Sequence, residues 1–520
     1  MKKKLETLMI VALALLMLTG SLFSSETDKG TGANAPKRFV FSDYAANFGL
    51  SSFQTNSYSM NGMDHRAHTF FPQHQPFEDA SGSPLRLLND DPKYNKKSAI
   101  WMVGLRVVSA NIVTWAMDRY VFNYSWSHVG PKTWKRNFKD GWEWDTDRFG
   151  MNFFFHPYSG ATYFNSARAN GYSYLESVPF VFMGSLMWEY LGETTRPAYN
   201  DIINTTVSGA LFGEILYRLS SKILDDRSTG GKRFLRELAA AILSPGRAIS
   251  RFLQGKMAKV TQKEVYQKEP VNITLALGAH VFNKLNRFGS TNKSAILGIH
   301  IDYGDPFEIR PRKPFDFFKA RLELNYGKNI NKKYLANVIA YGLLFGKTIH
   351  SGKLEMLIGA FQHYNYWDST IFKIGVLGFG GGIISKWQFS KNSNFQSAFH
   401  LGFIPLSASN SPHIDIVEEG VHLRNYDYSG GAETKFEGTL NVGQIGQVTT
   451  IYYLYWLHTY VGPGGNKVIS IFKPRIAIKL SNNLSIGYEY LYYHKNSYFR
   501  YFSDIKRSNS QQKIYLMLYF

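Results

Sequence analysis

The feature that most constrains this chain is a two-residue alternation along its C-terminal half, apolar at one set of positions and polar or charged at the other. In 272–282, Ile273, Leu275, Leu277, Ala279 and Val281 alternate with Asn272, Thr274, Ala276, Gly278 and His280. In 316–326, Phe318, Ala320, Leu322, Leu324 and Tyr326 alternate with Lys319, Arg321, Glu323 and Asn325. The pattern returns where Phe436, Leu440 and Val442 oppose Lys435, Glu437 and Asn441, and where Ile486, Tyr488 and Tyr490 oppose Gly487 and Glu489. A period of two is that of a β-strand with unlike faces. Charges on one face exclude hydrocarbon there, so that face points into a lumen and the other toward lipid.

Strand starts near 271, 294, 316, 337, 353, 372, 394, 428, 448, 468, 484 and 512 predict a barrel of about 12 strands, and an even count puts both barrel ends on the periplasmic side. Short connections at 349–352, 391–393, 443–447 and 481–483 fall at alternate positions and are assigned to that side. The longer 408–427 and 494–511 are assigned outside. The segment 304–315 is long for a periplasmic turn, and its Pro306, Pro311 and Pro314 predict a rigid stretch that contacts the other domain. On the last strand, Ile514, Leu516, Leu518 and Phe520 share the outward face. This ending resembles the signal read by the barrel assembly machinery, the partner expected during insertion.

Composition agrees. The chain has 520 residues with 16% aromatics and no Cys, which removes disulfides and thiolate metal sites. The net charge of +20 is spread through aromatic, alternating sequence, so outer-membrane lipids rather than nucleic acid are the expected partner. At the N-terminus, Lys2, Lys3 and Lys4 precede an apolar run at 8–18 and the small residues Ser21, Ser24 and Ser25, the pattern of a cleaved signal peptide. Beyond it, no stretch reads as long and apolar enough to be a transmembrane helix. The nearest, 172–191, is interrupted by Glu176, Pro179 and Glu189.

The expected organisation is an α+β membrane protein: signal peptide 1–25, a polar, partly disordered segment 26–95, a helical domain 96–228, basic amphipathic connector helices 229–268, and an outer-membrane β-barrel 269–520. His65, His68 and His74 lie in the polar segment, but no carboxylate or Cys pattern completes a metal set around them, and no metal site is read. The helical domain has an apolar stripe through Trp101, Leu105, Val108, Ile112 and Trp115, a Trp-rich connection, and helices near 160–169, 173–191 and 200–224. In the connectors, Ser244 and Pro245 fit an N-cap and first helical position, and the helices are expected on the periplasmic leaflet or barrel rim.

Ionisable residues inside the apolar helices are the candidate site. They are His156, Arg168, Glu189, Glu193, Asp201, Glu214 and Arg218, followed by Arg247 and Arg251. With His156-Pro157-Tyr158-Ser159-Gly160 and Ser244-Pro245-Gly246-Arg247, they resemble an uncharacterised Bacteroidota-type envelope family, catalogued as a domain of unknown function, over about 115–255. The resemblance implies a helical domain followed by a C-terminal barrel and supplies no reaction.

Two readings follow. In the first, these groups form a structural network: Glu214 pairs with Arg218, Asp201 caps a helix, and Glu193 shares a face with Glu189. The chain is then a barrel with a periplasmic or lumen-plugging helical domain, serving as transporter, plug or scaffold with envelope protein partners. In the second, His156, Glu189 and Asp201 are catalytic, and Arg168, Arg218, Arg247 and Arg251 bind an anion or headgroup, as in a lipid-modifying hydrolase or transferase. Ser159 and Ser173 are the available nucleophiles. Whether the chain is an enzyme, and with what cofactor, is left open by the residues.

Overall fold

The computed structural model describes residues 96–520 apart from 284–290, 328–333, 370 and 419–420. The signal peptide, the polar segment and its three histidines lie outside the described residues. Seven α-helices come first: α1 (Ile100–Ala116), α2 (Pro131–Lys139), α3 (His156–Arg168), α4 (Tyr174–Leu191), α5 (Tyr199–Ile223), α6 (Gly230–Leu243) and α7 (Pro245–Leu253). Twelve antiparallel strands then close a barrel. They are β1 (Val271–Asn283), β2 (Thr291–Tyr303), β3 (Phe318–Tyr326), β4 (Leu335–Ser351), β5 (Leu354–Asp368), β6 (Lys373–Ser390), β7 (Ser393–Asn410), β10 (Tyr426–Val442), β11 (Gly446–Val461), β12 (Gly465–Ser481), β13 (Leu484–Phe499) and β14 (Ile505–Tyr519). A small hairpin, β8 (Val417–Glu418) and β9 (Val421–His422), occupies the loop between β7 and β10. Pairing of β1 with β14 closes the ring, and Phe520 exchanges backbone hydrogen bonds with Ile273.

The alternation sorts side chains as expected. Leu277, Phe399, Phe472, Ile486 and Leu516 point outward and are exposed, a lipid-facing wall. The charged set points inward and joins strands across the lumen. Lys513 reaches Glu323 at 2.6 Å, Lys319 reaches Glu437 at 3.5 Å, and His363 contacts both Glu433 and His400. Apolar layers add to this filling: Trp367, Phe372, Tyr455, Ile471 and Tyr493 form one, and Tyr341, Leu343, Phe361 and Ile384 another.

The helices do not occupy that lumen, nor do they hang beneath it. Register places Ile273, Ile299, Leu322, Val338, Tyr364, Leu377, Ala408 and Tyr428 on the outward face, yet each is buried in one core with Phe153, Phe164, Leu211 and Leu219 of the helical region. The bundle is docked on the outer wall, correcting the expectation of a periplasmic or plugging domain. The physical reason is that the lumen is already filled by side chains, whereas the wall from β1 to β10 offers an apolar surface. Helix α5 runs the height of this wall. Asn200, at one end, shares Asp145 with Tyr428 of β10, and Lys222, at the other, donates to the Glu269 carbonyl just before β1. Its 25 residues span about 37 Å at 1.5 Å per residue, comparable to a bilayer's apolar layer of about 30 Å.

A second expectation is also corrected. Ile100–Val121, comprising α1 and a π-helical turn, is a 22-residue helix long and apolar enough to cross a membrane. Arg106, which interrupts the sequence, turns inward onto the Asn170 side chain. Trp101, Leu105, Ile112 and Val113 are left on a continuous exposed face. The Trp-rich connection also contains a helix that the sequence reading missed, α2, which carries exposed Trp134 and Phe138 among exposed Lys132, Lys135, Arg136 and Lys139. The proline-containing 304–317 connection does meet the bundle: Phe315 stacks on Tyr174, and Arg218 donates to the Pro314 carbonyl at 2.6 Å.

Candidate functional site

Helix packing brings the polar residues together in two separate places. Helices α3 and α5 approach unusually closely, because a Cβ on Gly160 would strike the Thr205 carbonyl and one on Gly209 would strike Gly160 itself. Small residues permit this, as they do where helices pack in lipid. Running parallel, α3 and α5 then carry His156 and Asp201 at the outer end, the one bearing Tyr426 and Tyr428, and Arg168 and Glu214 toward the barrel termini.

At the end nearer the barrel termini the charges are matched. Glu214 is fully buried and receives Arg168 Nε at 2.7 Å and Arg218 Nε at 2.9 Å. Arg168 also stacks over the Tyr217 ring. Arg247 donates to the Tyr217 carbonyl and the Ser220 and Ser221 hydroxyls, and Arg251 pairs with Glu237 at 2.6 Å and Asp226 at 2.8 Å. All four arginines proposed to grip an anion are thus engaged with protein groups, and Arg218, Arg247 and Arg251 are buried. Buried guanidiniums need such partners.

At the outer end carboxylates gather around one histidine, and the nearby Arg424 is engaged by the Asp145 backbone carbonyl at 2.9 Å. His156 opens α3, Glu189 lies near the end of α4, and Asp201 sits in the first turn of α5. One ligand atom from each lies within 4.8 Å of the others, so the three could hold a metal ion. His156 Nε2 is 3.4 Å from Asp201 Oδ1, and its Nδ1 lies 3.3 Å from the Thr205 hydroxyl. Asp201 is not a helix cap; the first helical residue follows Ala198, whose N–H donates to Glu189 Oε2 at 2.8 Å. Glu189 Oε1 is buried and has no hydrogen-bond partner. Asn200 donates to both Asp201 and Asp145, and Asp145 also accepts from Asn152 at 2.6 Å and Tyr428 at 2.7 Å. Glu193 is beyond the end of α4 rather than on its face. Burial, then the carboxylates of Glu189, Asp147 and Asp145, hold its carboxyl well above the usual range.

Sequence reasoning named His156, Glu189 and Asp201 but missed Asp145, Asp147 and Asn152. The run Trp142-Glu143-Trp144-Asp145-Thr146-Asp147 was the available signal: carboxylates interleaved with aromatics in a chain whose neighbouring helices are apolar. The Ser173 hydroxyl and Glu176 form a capping box at the start of α4.

Residues 141–246 match a family model described as a domain of unknown function (DUF3943), narrower than the 115–255 resemblance and carrying neither a taxon nor a reaction. No curated protein matches the chain. Among solved structures, the outer membrane channel DcaP of Acinetobacter baumannii is similar at 8% identity, covering 48% of this chain and 96% of that one, with a TM-score of 0.22. The NanC porin is similar at 8% identity, over 47% of this chain and 98% of that one, with a TM-score of 0.24. The Ralstonia pickettii toluene transporter TbuX is similar at 10% identity, over 49% and 90%, with a TM-score of 0.21.

Proposed function

We propose that this outer-membrane barrel serves a non-enzymatic envelope role as a scaffold, anchoring the DUF3943-containing bundle at the level of the lipid rather than conducting solutes. The observation that carries this reading is the division of labour between the two faces of the barrel wall. The inner face is occupied by pairs such as Lys513 with Glu323 and Lys319 with Glu437, while the outer face is the docking surface for helices. A wall used in this way suits a platform. The exposed apolar faces of α1 and α4, including Trp101, Ile112, Phe182 and Met183, present helix rather than strand to lipid or to membrane partners. In planar bilayers the purified full-length protein should show no unitary conductance steps, and reproducible steps from the wild-type protein would overturn the proposal.

A second reading, a lipid-modifying enzyme, is favoured by His156, which keeps 14% side-chain exposure beside Asp201 and Thr205. His156→Gln separates the two. If the variant inserts normally and the lipid profile by mass spectrometry changes, the enzyme reading displaces the scaffold.

A further inference from the structure

The outer acidic cluster differs from the other buried carboxylates described in the bundle in what balances it. Glu214 has Arg168 and Arg218, and Asp226 and Glu237 have Arg233 and Arg251. At the outer end, the donors to the carboxylates are the Asn152 and Asn200 amides, the Tyr428 phenol and the Ala198 backbone N–H, all neutral. His156 contacts Asp201, and the buried Arg424 donates to the Asp145 backbone carbonyl at 2.9 Å rather than to a carboxylate. Neutral donors satisfy hydrogen bonding without cancelling charge, so the field of Glu189, Asp201 and Asp145 converges on one small volume. Into it projects a fully buried carboxylate whose Oε1 has no partner.

We infer that His156, Glu189 and Asp201 form a binding site for one divalent transition-metal ion of the Zn2+ or Mn2+ class. The donor set decides the class. One imidazole nitrogen with carboxylate oxygens suits a borderline ion, whereas Ca2+ is held by about six to eight oxygens. Soft thiolate chemistry is excluded by the absence of Cys. Ligands bound to one ion at about 2.0–2.2 Å lie roughly 3–4 Å from one another, and the 3.4 Å between His156 Nε2 and Asp201 Oδ1 already meets this. Outer groups are also in place. The Thr205 hydroxyl stands at His156 Nδ1, leaving Nε2 toward the carboxylates, and Asn200 orients Asp201.

The position gives the ion a job that does not depend on catalysis. The ligands come from three different helices, and the neighbouring Asp145 is held by Tyr428 of the barrel. An ion here fastens α3, α4 and α5 together beside the junction of bundle and wall. This goes beyond the scaffold reading and stands whether or not the barrel conducts.

The test uses full-length protein in detergent, stripped with EDTA, then equilibrated with Zn2+ or Mn2+ and assayed for metal per chain. About one ion per chain is expected, with Glu189→Gln, Asp201→Asn and His156→Gln each weakening retention at least ~10-fold while heat-modifiable migration shows an intact barrel. Wild-type protein that retains no stoichiometric ion, or a Glu189→Gln variant that binds as tightly, overturns the inference. Should the variants fail to insert, the Mn2+-loaded wild type still decides: electron paramagnetic resonance should show hyperfine coupling to a histidine nitrogen, and its absence overturns the assignment.

Discussion

Gln362, on the outward face of β5, donates its amide to the Val207 carbonyl of α5 at 2.8 Å and accepts the Tyr174 hydroxyl of α4 at 2.6 Å. An amide at a nominally lipid-facing position is expensive unless something polar covers it. Here two helices do. Gln362→Leu leaves the Tyr174 hydroxyl without its acceptor in a buried place, a penalty of about 1–3 kcal/mol. The expected outcome is faster proteolysis of the helical region with unchanged heat-modifiability of the barrel, so the two measurements together locate the defect at the docking face.

This contact also marks what the sequence could and could not convey. The strands were legible because lumen-facing charges impose a period of two that no helix shares. The last strand, however, starts at Ile505 rather than near 512, so the long 494–511 connection shrinks to the turn between Phe499 and Ile505. The reason is that Lys506, Arg507, Asn509 and Gln511 extend the strand with polar residues that carry no apolar alternation. The side on which the helices sit was not legible. An apolar outward residue such as Leu377 or Ala408 satisfies lipid and helix equally, so the pattern is the same for a bare wall and a covered one. Gln362 is the informative exception on that face, because Tyr also stands on the uncovered wall at Tyr452 and Tyr488 and so does not distinguish the two. In the site, His156, Glu189 and Asp201 stood out as ionisable groups inside apolar helices. Asp145 did not, because it belongs to an aromatic connection whose burial arises only when Tyr426 and Tyr428 close over it.

The α3–α5 contact sets the geometry of both charge clusters. Gly209 has no room for a Cβ against Gly160, and Gly213 packs its backbone on the Phe164 ring. Gly209→Val should push the helices apart, with an overpacking penalty of about 1–3 kcal/mol or more. Loss of bundle protection in hydrogen exchange is expected at both ends of α5, whereas Gly104→Ala, which meets nothing within 4 Å, serves as the neutral control.

Glu214 supports two arginines. Glu214→Ala removes the shared partner and leaves Arg168 and Arg218 buried without it, a change of about 3–5 kcal/mol. Replacing all three by apolar residues of similar size should be much less harmful than the single change. The ordering of thermal midpoints, wild type close to triple variant and both well above Glu214→Ala, checks that the network is structural; a single variant as stable as wild type refutes it.

Helices α6 and α7 carry their amphipathicity in an unexpected sense. The basic residues suggested a cationic face toward headgroups, but Arg233, Arg247 and Arg251 are buried, tied to Asp226, Glu237 and the C-terminal end of α5. The exposed side is apolar: Phe234, Leu235, Leu238, Ile249, Phe252 and Leu253. In water such a face would be an aggregation hazard, while beside a barrel it fits the acyl boundary of a lipid leaflet. With Trp placed at position 252 and the protein reconstituted in nanodiscs, brominated lipid should quench the fluorescence added by the new Trp. Trp placed at the exposed loop residue 305 should add fluorescence that is not quenched. Equal quenching at the two positions would mean that this face meets water rather than lipid.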